Sequence, residues 1–199
     1  MSQRKLNSMA ENYFTNAAAL ARDLCAKKLE KGDIAVDATM GKGNDTVLLA
    51  ELVGISGKVY AFDIQREAVG ITKKNLDERN LSRQVELIND GHENMDRYIH
   101  EKVKLVIFNL GYLPGGNHDI TTRAETTLAA LKKSIRLIRQ NGVVVLVVYS
   151  GHEQGKVEKD VLGTYLKSLD QKKYTVISTS FINLWIILKL KVILSAVVI

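Results

Sequence analysis

Asp37-Ala-Thr-Met-Gly-Lys-Gly-Asn-Asp-Thr46 is the stretch whose reading decides the fold. The apolar triplet Ile34-Ala-Val36 leads into it, and a run with helical spacing, Asp45 to Val53, leaves it. The order is therefore strand, acidic residue, glycine turn, helix. Gly41 and Gly43 let the backbone turn sharply and approach a ligand closely. The unpaired N–H groups that open the helix point into the same space. Such a turn holds an anionic or carboxylate-bearing cofactor.

Upstream, residues 11–31 read as a helix with Leu20, Ala21 and Leu24 on its apolar face, and Gly32 stops it. Downstream, strands are expected over 58–63, 84–88, 103–108, 143–148, 174–182 and 185–198. Helices are expected over 66–79, 93–100 and 153–169, with another that Thr121 or Thr122 can cap. Asn141-Gly142 reads as a turn into the fifth strand. This alternation predicts a single α/β domain over 1–199, Rossmann-like, with a mostly parallel sheet and helices on both faces. In such sheets ligands bind beyond the C-terminal strand ends. Asp37, Asp63, Gly91, Asn109 and Tyr149 all fall at those ends.

Composition sets outer limits. The 199 residues are 46% hydrophobic and 25% charged, as in an ordinary globular chain with a sizeable core. The single cysteine, Cys25, excludes an internal disulfide and suits a reducing compartment. No Cys/His group has zinc spacing, and no metal is expected. Residues 1–5 lead into polar sequence rather than a signal-peptide core, so the expected location is the cytoplasm. A formal charge of +6 suits a polyanionic partner such as RNA. The stretch Phe181 to Ile199 is nearly all apolar, but Lys189, Lys191 and its Val and Ile content favour buried strands over a membrane helix.

The cofactor can be narrowed from the residues around the turn. A dinucleotide fingerprint needs a third glycine where this chain has Thr46, which weakens a nicotinamide reading. No Lys-Ser/Thr pair completes a Walker loop. Asp63 ends the second strand about twenty residues on, where a carboxylate can accept both ribose hydroxyls of an adenosine. Asp37, just before the glycines, repels a pyrophosphate and welcomes an ammonium group. S-adenosylmethionine has adenosine at one end and an amino acid at the other, and so satisfies both acids.

The chain also resembles a known group. The quoted stretch, Ala61-Phe-Asp-Ile-Gln65, Phe108-Asn-Leu-Gly-Tyr-Leu-Pro-Gly-Gly116, Ile120-Thr-Thr122 and Val147-Val-Tyr-Ser-Gly-His-Glu-Gln-Gly155 are similar to the class I methyltransferases of the bacterial YtqB/MnmM family, long labelled rRNA methylases. The resemblance covers about residues 15–183. It implies a seven-stranded sheet with a reversed last strand. It also implies methylation of the aminomethyl nitrogen of 5-aminomethyl-2-thiouridine at the tRNA wobble position, with the tRNA anticodon region as partner. By the same resemblance Asp37, Thr39, Gly41 and Gly43 line the methionine end, and Asn44, Asp45 and Thr46 start the helix beneath it. Asp63, Ile64 and Gln65 hold ribose and adenine, and Gly91 and His92 lie where adenine is contacted. The chain departs from the family at Asn44, often His there, and after Asn183, where a polar segment with paired prolines is replaced by apolar residues 184–199. That segment bears on the RNA site and on a homodimer contact.

Asn109-Leu-Gly-Tyr112 is a loose version of the loop that amino-group methyltransferases place after their fourth strand. The Asn109 side-chain oxygen and the Leu110 carbonyl can accept hydrogen bonds from a target amine, and Tyr112 can stack on a base. An alkyl ammonium, with a pKa of about 10.4 when free, must lose a proton before it attacks. Desolvation and the sulfonium charge both lower that value, so water or a backbone carbonyl suffices as acceptor. His152 is the side-chain candidate. Competing readings are a methyltransferase for rRNA or a small amine, a nicotinamide oxidoreductase, and an RNA-binding relative without catalysis.

Overall fold

Continuous apolar runs become the central strands of one sheet. The computed structural model describes residues 17–111, 121–151, 153–180 and 192–198. Its strands are β1 (Ile34–Asp37), β2 (Lys58–Phe62), β3 (Val85–Ile88), β4 (Val103–Asn109), β5 (Ile138–Tyr149), β6 (Thr175–Ser180) and β7 (Val192–Val198). They lie in the order β3-β2-β1-β4-β5-β7-β6. Strands β1 to β5 pair in parallel, and β7 runs antiparallel to both of its neighbours. The expected reversed strand is therefore present, built from the apolar tail.

Successive residues of a strand face opposite sides of a sheet, so each central strand feeds two cores. Val36, Val106, Phe108 and Leu146 join one core with α4 (Ala124–Leu137) and α5 (Glu153–Lys167). Ala35, Leu105, Ile107 and Val145 join the other with α1 (Ala17–Lys28) and α2 (Asn44–Val53). Leu76 of α3 (Arg66–Glu78) belongs to this second core. Helices on both faces explain why β4 and β5 lack polar alternation. Truncating the fully buried Phe108 to alanine would cost about 3–5 kcal/mol, a large part of a domain's usual ~5–15 kcal/mol.

The elements depart from the sequence reading at three places. The expected helix over 93–100 is a 3-10 turn, His92–Arg97, so His100 lies beyond it. Position Arg123, not Thr121 or Thr122, is the N-cap of α4; the Thr122 hydroxyl goes elsewhere, as described below. Asn141-Gly142 lies within β5 rather than before it. Val103 pairs with Ile138 and Leu105 with Val143, so the extra residues bulge out there, with Asn141 at φ 58°. Residues 11–16, Tyr112, His118, Asp119, His152 and the stretch 181–191 lie outside the described residues. Among the described residues, no helix is long and apolar enough to cross a membrane.

Candidate active site

The C-terminal ends of β1, β2, β4 and β5 open onto a cavity of about 700 Å³, within the usual range for small-molecule sites, roughly 300–1,000 Å³. The glycine turn forms one wall. It is pinned to the sheet from both sides: the Ala38 amide donates to the Ile107 carbonyl (2.9 Å) and the Met40 amide to that of Phe62 (2.9 Å). Asp37 organises the turn from below. Its Oδ1 accepts from the Thr39 amide at 3.1 Å and its Oδ2 from the Thr46 hydroxyl at 2.6 Å. The Asp37 side chain is fully buried and lies under the cavity rather than on its wall. Burial, and then the nearby charge of Asp45, raise its pKa.

Asp63 links this turn to β2. Its Oδ2 accepts from the Gly41 amide at 3.0 Å, and its Oδ1 from the Gln65 amide at 2.9 Å. A carboxylate oxygen has two lone pairs, so each retains capacity for a ligand hydroxyl. Burial raises the Asp63 pKa, and the two amides oppose that. Gly43 adopts the left-handed region at φ 82°. A Cβ there would lie 2.7 Å from Thr72 Cγ2, and the Thr72 hydroxyl donates to the Gly41 carbonyl at 3.0 Å. Gly43 thus lets α3 close against the turn.

Asn109 connects the opposite wall to the cradle. Its amide N–H donates to Thr39 Oγ1 at 2.7 Å, and its Nδ2 to Asp45 Oδ2 at 3.1 Å. A carboxylate only accepts, which assigns the amide: the nitrogen faces Asp45, and Oδ1 is an acceptor without a partner among the described residues. The other oxygen of Asp45 takes the Arg22 Nε–H from α1 at 2.6 Å. Tyr149, at the end of β5, also lines the cavity, and burial followed by the Asp45 charge raises its pKa. Its hydroxyl therefore stays protonated.

At the far end, the exposed side chain of Ile64 supplies apolar surface beside the fully buried Phe62. His92 is held by its Nδ1, 3.0 Å from the Ala38 carbonyl. A carbonyl cannot donate, so Nδ1 carries the proton and Nε2 is a bare acceptor. Nε2 is buried, has no partner among the described residues, and the residue lines the cavity. Burial lowers the His92 pKa, favouring this neutral form, although the Ala38 bond, Glu93 and Asp63 oppose it. Among the described lining residues, Asp63, Asp90 and Glu93 outnumber Lys42 and Arg123, the Asp45 charge being paired with Arg22. This lining is thus acidic in a chain of net charge +6.

Of the residues expected at the site, Thr39, Gly41, Asn44, Asp45, Asp63, Ile64, Gln65, Gly91, His92, Asn109 and Leu110 line this one cavity. Asp37, Gly43 and Thr46 stand behind it as supports. Tyr112 and His152 are outside the described residues. Sequence reasoning missed Arg22, which reaches Asp45 from 23 positions away. It also missed the role of Thr121, Thr122 and Arg123 as cavity wall. The signal for the two threonines was the Ile120-Thr-Thr122 motif, and Tyr149, which also lines the cavity, was legible as a polar residue ending an apolar strand.

A sheet in this order, with only β7 reversed and a cleft at the turn after β1, is the class I methyltransferase fold. The chain belongs to the family described as "Putative rRNA methylase", whose model matches residues 59–189. It is 40% identical over 159 residues to the chloroplastic tRNA (mnm(5)s(2)U34)-methyltransferase of Arabidopsis thaliana, a match spanning 75% of this chain and 58% of that relative. A crystal structure from Clostridium thermocellum carrying the same description as the family superimposes with a TM-score of 0.88 at 46% identity, covering 92% of this chain and 96% of that one. SMU.1697c of Streptococcus mutans, solved in complex with SAH, gives 0.80 at 36% identity, covering 92% and 98%.

Proposed function

We propose that the protein is an S-adenosylmethionine-dependent methyltransferase that N-methylates the aminomethyl group of 5-aminomethyl-(2-thio)uridine at the wobble position of tRNA, in the cytoplasm. The observation that carries this reading is the hydrogen bond from Asn109 Nδ2 to Asp45, which leaves Oδ1 as an oriented acceptor at the end of β4. An amine donor meeting Oδ1 keeps its lone pair for attack. The chloroplastic relative's name refers to the same wobble nucleoside.

The residues fit the cofactor. Asp63 matches ribose hydroxyls, the bare Nε2 of His92 matches an N–H or O–H of the nucleoside, and Ile64 matches an adenine face. Asp45, paired with Arg22, holds the Asn109 amide in place beside the cofactor. When bound, the cofactor supplies an already activated methyl group, so the protein's task is alignment, which can contribute about 7–11 kcal/mol. The acidic cavity draws cationic groups inward, while the positive net charge suits the phosphates of RNA. The Tyr149 hydroxyl and the Leu110 backbone complete the acceptor side.

Nucleoside mass spectrometry tests the reading. Undermodified tRNA is incubated with protein and S-adenosylmethionine, and one added methyl on 5-aminomethyl-uridine is expected. Its absence, with methylation of another RNA or of a small amine instead, would replace the proposed acceptor.

A further inference from the structure

Glu158 is a buried carboxylate that the reading above does not use. It lies on α5, is 3% exposed, and among the described residues has no cation within ion-pair distance. Isolated buried charge is costly unless hydrogen bonds compensate it. Here two threonine hydroxyls do so: Thr127 donates to Oε1 at 2.6 Å and Thr122 to Oε2 at 3.0 Å. The two threonines differ in place. Thr127 is inside α4 and buried, so its bond staples α4 to α5. Thr122 precedes α4 and lines the cavity. Its amide also donates to the Gly111 carbonyl at 3.1 Å, two residues beyond Asn109. Glu158 therefore holds the stretch Thr121–Arg123 beside the stretch Asn109–Gly111.

A carboxylate suits this place better than an amide. It accepts at both oxygens and cannot donate, so each hydroxyl is forced to point its proton at Glu158. The Thr122 side chain is then fixed in one rotamer, and with it the wall that faces Asn109. We propose that Glu158 is a positioning residue for the acceptor side of the site. Through Thr122 it sets the spacing between the Asn109–Gly111 and Thr121–Arg123 walls, while its bond to Thr127 serves only helix packing. This rests on the methyltransferase reading for its kinetic consequence, but not for the anchor itself.

The test contrasts Thr122→Val with Thr127→Val, which remove one hydrogen bond each from the same carboxylate. Losing one charge-assisted bond is worth about a factor of ten or more. Thr122→Val is expected to lower kcat/KM for the tRNA by about tenfold, mainly through KM, with SAH affinity by calorimetry unchanged within about twofold. Thr122→Ser should restore it. Thr127→Val should lower the melting temperature and leave kcat/KM within about threefold. Amide exchange at Thr122 should accelerate in Thr122→Val and in Glu158→Gln, but not in Thr127→Val. Equal kinetic effects of the two valines, or a loss that follows SAH affinity, would overturn the assignment. If the wild-type protein leaves the tRNA unmethylated, the acceptor reading falls, and the exchange pattern still decides whether Glu158 anchors Thr122.

Discussion

Asn109 Nδ2 donates to Asp45 Oδ2 across 3.1 Å, joining the end of β4 to the first turn of α2 over 64 positions of sequence. The end of β4 and the glycine turn are therefore one hydrogen-bonded unit, since Asn109 also donates its backbone N–H to Thr39. Asn109→Ala removes the oriented oxygen but leaves Thr39, which bonds to the backbone. Turnover should fall about 10²-fold, the usual scale for a small misplacement of reacting groups, with SAH affinity within about threefold. Steady-state kinetics beside calorimetry separates the two. A parallel loss of both would mean that Asn109 serves the cofactor instead.

Asp63 supplies the second link, from β2 to the glycine turn. Asp63→Ala removes a charged acceptor from the ribose end and the partner of the Gly41 amide. Hydrogen bonds to charged groups contribute about 1.5–3 kcal/mol, so the SAH dissociation constant should rise about ten- to hundredfold. Titration calorimetry measures this, and unchanged affinity would remove Asp63 from the cofactor site.

Gly43 is strained for any other residue. Gly43→Ala adds a left-handed penalty of about 1–2 kcal/mol and a contact 2.7 Å from Thr72 Cγ2. A drop of several degrees in melting temperature is expected, about 2–4 °C per kcal/mol at this chain length, along with weaker SAH binding. Pairing it with Thr72→Ala should recover the part due to the contact and leave the backbone part. A fully additive double mutant would contradict the contact.

His92 contributes a pH dependence beside that of Asp37, whose buried carboxyl is pushed up to about 7. The folded pKa of His92 is depressed, chiefly by burial. The unfolded chain then takes up a proton that the folded chain resists. This contribution to stability is present above the unfolded value of about 6.5 and is lost as pH falls through the folded pKa. The proton would also occupy Nε2, the bare acceptor. SAH affinity in the wild type should weaken as pH falls below about 6.5, through the depressed folded pKa. His92→Phe should start weaker and vary less with pH over that range. Calorimetry at several pH values reads both, and identical pH profiles would rule out His92.

Each part of the site was legible to the extent that its physics is local. Asp63, Gly41 and Asn44 could be read because a glycine turn between strand and helix, and an acid ending the next strand, are short-range patterns. Thr122 was misread as a helix cap. Capping residue types are common, and only the neighbouring α5 shows that its hydroxyl has a better acceptor in Glu158. The bulge at Asn141-Gly142 looked like a turn, because a positive φ is visible in residue type while continued pairing to β4 is not.

By itself the sequence determined the alternation of strands and helices, the edge of the sheet that binds, and the chemistry suited to the cofactor. Those follow from periodicity, glycine conformation and the placing of acids at strand ends. Tertiary structure alone decided that Asp37 works from beneath the turn, that Arg22 and Asn109 divide the two oxygens of Asp45, and that His92 presents a bare nitrogen. The reason is that hydrogen bonds between distant residues depend on how helices pack onto the sheet. That packing is set by the two buried cores jointly, and no window of neighbouring residues contains it.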